Sequence, residues 1–293
     1  FEAWPIALLL FIGLVGLIVG SFLNVVAYRL PIMMELAWRA QCAELDTHPV
    51  PVPAHAQSGR FDLAWPPSTC PSCGQRIAAL HNVPVLSYLA LRGRCAACGY
   101  RISPRYPFVE AAAAILGVAV AYAFGPTWTT VAALGFTWSL LALALIDLDH
   151  KLLPDSLTLP LLWAGLLLAA FPVHGAPLFV DLFSSVIGAA AGYLSLWLVY
   201  HLFKLATGKE GMGHGDFKLF AAAGAWLGAT ALLPVIIIAA LSGVVGGLIM
   251  LRAAGKDRSV PFAFGPFLVI AMWIWLVAGD QILVAYLRLT GFR

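Results

Sequence analysis

The sequence predicts an all-α polytopic membrane protein with about eight transmembrane helices, and three observations carry that prediction. First, 61% of the 293 residues are apolar and only 11% are charged, whereas a soluble globular chain is roughly 45–50% apolar and about 25% charged. Second, the apolar residues collect into runs close to the roughly 20 residues that a helix needs to cross a bilayer core about 30 Å thick. Third, Lys and Arg gather in alternate connections between those runs, as they do when retained on the cytoplasmic side. The formal charge of +3 leaves no dense basic patch able to neutralise phosphates, which argues against a nucleic-acid partner. The apolar content excludes disorder over most of the length.

In chain order the runs cover residues 4–28, 106–124, 128–147, 156–171, 179–205, 217–232, 233–251 and 260–287. The first lacks the basic stretch and small-residue cleavage pattern of a secretory signal, so it is expected to stay in the membrane as a helix. Only Leu232, Leu233 and Pro234 separate the sixth run from the seventh, and reading through that break gives seven spans. An even number suits the charges better, because with eight spans fifteen of the 17 Lys and Arg fall in one set of loops, leaving Arg288 and Arg293 opposite. That bias predicts both termini outside the cytoplasm and the long first loop inside it. Three parts follow: a first transmembrane helix over 1–29, a cytoplasmic domain over 30–105, and a transmembrane bundle over 106–293. Within the loop, the Pro- and His-rich stretch 47–57 reads as irregular chain, and no internal repeat is evident.

The loop carries Cys70-Pro-Ser-Cys73 and Cys95-Ala-Ala-Cys98, each followed by glycine, with twenty-one residues between the pairs. Two thiolates at this spacing converge on one ion, and two such pairs make a four-cysteine zinc site. Four thiolates leave tetrahedral zinc no open position, so the metal is expected to be structural, holding together a segment too small for a good core. Redox-active pairs or disulfides are the alternative, which cytoplasmic placement disfavours. Cys42 reads as an ordinary thiol.

Acidic residues at membrane depth are costly and functional by default. Asp147 and Asp149 close the third run, and Asp216 opens the sixth within Gly213-His-Gly-Asp216. The predicted orientation puts both places at cytoplasmic helix ends, at similar depth, where they can meet. Two carboxylates sharing a site cannot both ionise cheaply, so one proton is held between them and the pair can serve as base and acid in turn. Asp147 and Asp149 point about 200° apart around a helix, so only one of them faces Asp216. Interfacial charges paired with Lys151 or Lys218 are the structural alternative, equally weighted on spacing alone.

Taken together, these residues resemble a known family. Gly20-Ser-Phe-Leu-Asn24-Val-Val-Ala-Tyr-Arg29-Leu-Pro31, the cysteine pairs with Asn82-Val-Pro84 and Ser87-Tyr88 between them, Ile102-Ser-Pro-Arg105-Tyr-Pro107-Phe-Val-Glu110, the run from Ile146 to Asp155 and the Gly-x-Gly-Asp ending at Asp216 look like the bacterial type IV prepilin peptidases. The likeness spans most of the chain in the family's order. It implies a membrane aspartic endopeptidase of the bacterial inner membrane, acting on prepilins and pseudopilins. Such enzymes remove the leader after a glycine on the cytoplasmic side and, where the cysteine-bearing loop is long, methylate the new N-terminal amine with S-adenosylmethionine.

Carried over, Asp147 and Asp216 are the catalytic pair with Asp149 a neighbour, and Cys70, Cys73, Cys95 and Cys98 hold zinc. No residues are assigned to the methyl donor, since no Gly-rich fingerprint is present. Arg105 and Glu110 read as interfacial anchors before leader or donor ligands, Asn24 as a packing contact before an interhelical hydrogen bond, and His150 and His214 as solvated before metal ligands. The rivals are a cleavage-only peptidase, a proton- or cation-coupled transporter relaying ions through its Asp residues, and a scaffold that uses the zinc segment to bind partners.

Overall fold

The structure, a computed structural model, describes residues 4–45, 60–173, 175–254 and 263–290. The described residues are mainly helical, with β-pairing confined to isolated bridges. They divide into two compact units, residues 1–122 and 123–293.

In the first unit, α1 (Trp4–Leu45) begins with the first apolar run and continues well beyond residue 28, through Pro31, into an extension that carries Glu35, Arg39 and Glu44 among apolar residues. That extension is built from good helix formers and carries an Arg39–Glu35 ion pair one turn apart. The irregular chain expected over 47–57 lies outside the described residues. After the cysteine segment come a short helix, α2 (Leu86–Ala90), and α3 (Arg105–Phe124). Asn24 on α1 donates from its side-chain amide to Gly20 O at 3.1 Å and to Tyr106 O at 3.3 Å, the latter across to the first turn of α3. Arg29 is buried and donates to the carbonyls of Asp62 (2.9 Å) and Pro66 (2.6 Å), pinning the loop to α1.

The second unit holds α4 (Trp128–His150), α5 (Asp155–Ala170), α6 (Leu182–Thr207), α7 (His214–Leu227), α8 (Ala229–Ala254) and α9 (Gly265–Thr290). Local chemistry sets most of the ends. Thr127 and Asp181 cap α4 and α6 by accepting the N–H groups of Thr130 and Ser184, the usual service of an N-cap oxygen. Lys151 and Gly208 close the same helices in the left-handed conformation.

All eight predicted runs are helices, and six of these are long and apolar enough to cross a membrane. The other two are α5, with 16 residues, and α7, with 14. At 1.5 Å per residue α7 is only about 21 Å long, and it lies enclosed rather than exposed to lipid. Phe136 of α4 packs on its Trp226 at 4.7 Å between ring centroids, and Trp226 Nε1 donates to Leu161 O of α5 at 2.7 Å. Ser185 Oγ of α6 donates to Ala225 O at 2.7 Å. The break after α7 falls at Gly228, with φ +80, and not at Leu232–Pro234 as expected. Pro234 sits inside α8 as its sixth residue, where it withholds the N–H that would otherwise bond to Thr230 O without ending the helix.

Candidate active site and metal centre

The acidic site is built where α4 ends and α7 begins. Asp147 occupies the last turn of α4 and is 6% exposed, while Asp149 faces outward. The two residues differ because a helix turns 100° per residue, so positions two apart cannot share its inner face. Asp216 is 7% exposed at the third position of α7, after the Gly213 cap. Its carboxyl reaches back to the Gly213 N–H, the reciprocal contact of a capping box, and the helix N-terminus favours negative charge there.

The two buried carboxyls lie close enough for their charges to repel. Leu153, three residues beyond the end of α4, packs between the starts of α7 and α9. A Cβ added to Gly215 would lie 2.7 Å from Leu153 Cβ, and one added to Gly265 would lie 3.4 Å from Leu153 Cδ2. Lys218 is drawn away from the acids, because its ammonium sits 2.7 Å from both carboxylate oxygens of Asp155. A pair of buried, mutually repelling acids at helix ends can hold one proton between them and pass it, which is the chemistry of water activation and leaving-group protonation.

His150 and His214 are exposed. His214 packs its ring against Tyr200 and Phe217, at 5.2 and 5.4 Å, and neither histidine belongs to a metal-ligating group among the described residues. Glu110 is buried and accepts the Val85 N–H at 2.7 Å. Val85, a β-branched residue at φ 57, holds a conformation that such residues rarely adopt, so this bond secures a costly turn. Sequence reading assigns Arg29 no role beyond its place in the family's motif, and assigns Leu153 and Gly265 none. Nothing local marks the first two. The dipeptide Gly265-Pro266 does signal a helix start, though not which side chain meets it.

The four loop cysteines converge: the Sγ atoms of Cys70, Cys73, Cys95 and Cys98 all lie within 4.8 Å of one another. Cys70 and Cys98 are 3.8 Å apart, matching the roughly 3.8 Å edge of a tetrahedron with metal–sulfur bonds of about 2.3 Å. Two loops of the same form build the cluster. In one, Cys70 N donates to Gln75 O and Gly74 N to Cys70 O; in the other, Cys95 N donates to Tyr100 O and Gly99 N to Cys95 O. Gly74 and Gly99 both stand near φ +70, where a Cβ would be strained. The shared pattern Cys-x-x-Cys-Gly-x-Arg-Ile, from Cys70 to Ile77 and again from Cys95 to Ile102, is a short internal repeat, and corrects the expectation of none. Cys42, on the extension of α1, is exposed and takes no part.

Backbone N–H groups of Cys73 and Ser72 draw the Cys70 thiol down to about 6. Cys73 receives the Gln75 N–H, which lowers it, yet burial and the neighbouring Cys98 and Cys70 sulfurs push it up to about 11. Four thiolates this close need a cation, and the donor set fits one.

The fold and these sites define a multi-pass helical membrane protein with paired buried acids in one unit and a four-thiol cluster able to hold a metal ion in the other. Comparison with known proteins gives the class its name. The model of the Type IV leader peptidase family matches residues 133–251, and that of the Bacterial Peptidase A24 N-terminal domain matches residues 14–124. The chain is 49% identical to the prepilin leader peptidase/N-methyltransferase of Stutzerimonas stutzeri, over 97% of this chain and 95% of that protein. It is 50% identical to the protein of that name from Pseudomonas aeruginosa, over 99% and 97%, and 46% identical to that from Neisseria gonorrhoeae, over 92% and 90%. The chain therefore belongs to the type IV leader peptidase family. No solved structure matches it.

Proposed function

We propose that this protein is a membrane aspartic endopeptidase that removes the leader of type IV prepilins and pseudopilins and then N-methylates the new terminus, with Asp147 and Asp216 as its catalytic pair. The observation that carries the reading is the pairing of these two buried carboxyls at the ends of α4 and α7, in a chain closely related to proteins bearing that name. One carboxylate takes a proton from water as the oxygen attacks the glycyl carbonyl. The other, protonated, donates to the carbonyl oxygen. Collapse of the tetrahedral intermediate breaks the C–N bond and sends a proton to the amine, releasing a leader that ends in a glycine carboxylate and a pilin with a free N-terminus.

The second activity uses S-adenosylmethionine, which supplies an electrophilic methyl group to that amine. We assign no described residue to its binding. Residues 30–105 form the cytoplasmic part, in which Cys70, Cys73, Cys95 and Cys98 hold structural zinc, and residues 106–293 form the peptidase bundle. The basic loops favour the inner membrane of a bacterium, with the long loop and both acids on the cytoplasmic side.

The test is a reaction in detergent, without any ion gradient, between the purified protein, a prepilin and S-adenosylmethionine, read by mass spectrometry. The expected product has lost the leader and gained one methyl group. An intact prepilin would overturn the reading, and a cleaved but unmethylated one would restrict it to the peptidase.

A further inference from the structure

The start of α9 has an unusual partner. The first four N–H groups of a helix have no intrahelical acceptor. Here Pro266 has none to offer, and the Phe267 and Leu268 amides both reach back to Phe264 O, at 3.1 and 3.2 Å. That leaves the Gly265 N–H, and it faces the Asp147 carboxyl. Asp147 Oδ2 is itself fully buried and has no well-formed hydrogen bond among the described residues. A Cβ added to Gly265 would lie 2.6 Å from Oδ2 and 3.1 Å from Cγ of Asp147. The carboxylate therefore occupies the space that a side chain at position 265 would need.

We infer that Gly265 is a positioning residue for Asp147: its missing side chain and free N–H let α9 receive that carboxylate as a cap supplied by another helix, fixing where Oδ2 stands relative to Asp216. The inference rests on the Asp147–Asp216 reading proposed above. An alanine at 265 asks little of the fold, since the atom it displaces is the free end of a short side chain. It asks much of the chemistry, because a shift of roughly 1 Å in a reacting group costs about a hundredfold in rate.

The experiment compares Gly265→Ala with Asp147→Asn and with Gly135→Ala. Gly135 lies on α4, and a Cβ there meets nothing within 4 Å. Purified variants are assayed for prepilin cleavage and for thermal unfolding in detergent. Gly265→Ala is expected to lower kcat by roughly ten- to a hundredfold with KM within about twofold, while Gly135→Ala matches the wild type. Full kcat in Gly265→Ala, with Asp147→Asn dead, would overturn the inference and leave the acid pair standing. Full cleavage by Asp147→Asn would remove the pair itself. If Gly265→Ala fails to fold, the double variant Asp147→Ala/Gly265→Ala decides. Recovered folding confirms that the clash is with the carboxylate, and continued misfolding places it elsewhere and overturns the inference.

Discussion

Asp147 and Asp149 have the same chemistry and lie two residues apart, yet only Asp147 is enclosed. Asp149→Asn is therefore expected to leave cleavage within a few-fold of the wild type, as measured by prepilin turnover, since its side chain is exposed and lies on a different face of α4 from Asp147. Glu110 tests a different role, that of a backbone acceptor. Removing its carboxyl leaves the half-buried Val85 N–H without that acceptor, at a cost of about 1 kcal/mol, so Glu110→Ala should lower the unfolding temperature in detergent. Glu110→Gln, which still presents an oxygen, should largely restore it. Spacing and apolar context mark Asp147, Asp149 and Asp216 as candidates and group the four cysteines, while the choice of Asp147 over Asp149 comes from the family resemblance. Asn24, expected to be a packing contact, instead makes the lesser alternative, an interhelical hydrogen bond, to Tyr106 O. The roles of Arg29, Leu153 and Gly265 were invisible for a common reason, since each acts through a neighbour distant in sequence.

At the scale of the elements, the two cysteine loops stand or fall together because neither pair alone completes a tetrahedron. Serine at Cys70 or Cys98 is expected to reduce bound zinc from about one equivalent per chain to well below half, by elemental analysis under reducing conditions. Metal binding must strip the proton from the Cys73 thiol, which stands near 11 without a cation, while Cys70, near 6, is largely ionised at neutral pH. Protons thus compete with metal, so affinity should fall as pH falls and proton release should accompany binding. A pH-independent affinity would contradict the four-thiolate site. The contact of α6 with α7 depends on two small residues: a Cβ on Gly224 would fall 2.0 Å from Gly188 O. Because backbone opposes it there, Gly224→Ala is expected to destabilise the bundle by about 1–3 kcal/mol, visible as a lower unfolding temperature.

Across the whole molecule, composition and run length were sufficient for the class and for the position of every long helix, because twenty apolar residues in sequence have few other fates. The extents were less legible. Helix α1 runs past Arg29 and Pro31 because the residues beyond them, rich in Met, Leu, Ala and Glu, are good helix formers, and the apolar character resumes as far as Cys42. Helix α7 stops at Gly228 because that residue is left-handed, whereas Pro234 had seemed the stronger punctuation. The repeated cysteine loop escaped notice because it is short and its variable positions differ, though its hydrogen bonds match one for one.

The peptidase reading depends on Asp147 and Asp216 acting as one unit, and the direct measurement is prepilin cleavage by purified Asp147→Asn and Asp216→Asn proteins whose insertion and unfolding temperatures match the wild type. Each variant is expected to lose activity by about a thousandfold or more, within the range for removing a catalytic acid or base, and the double variant should be little worse than either single one. Processing at the wild-type rate by either single variant would contradict the account.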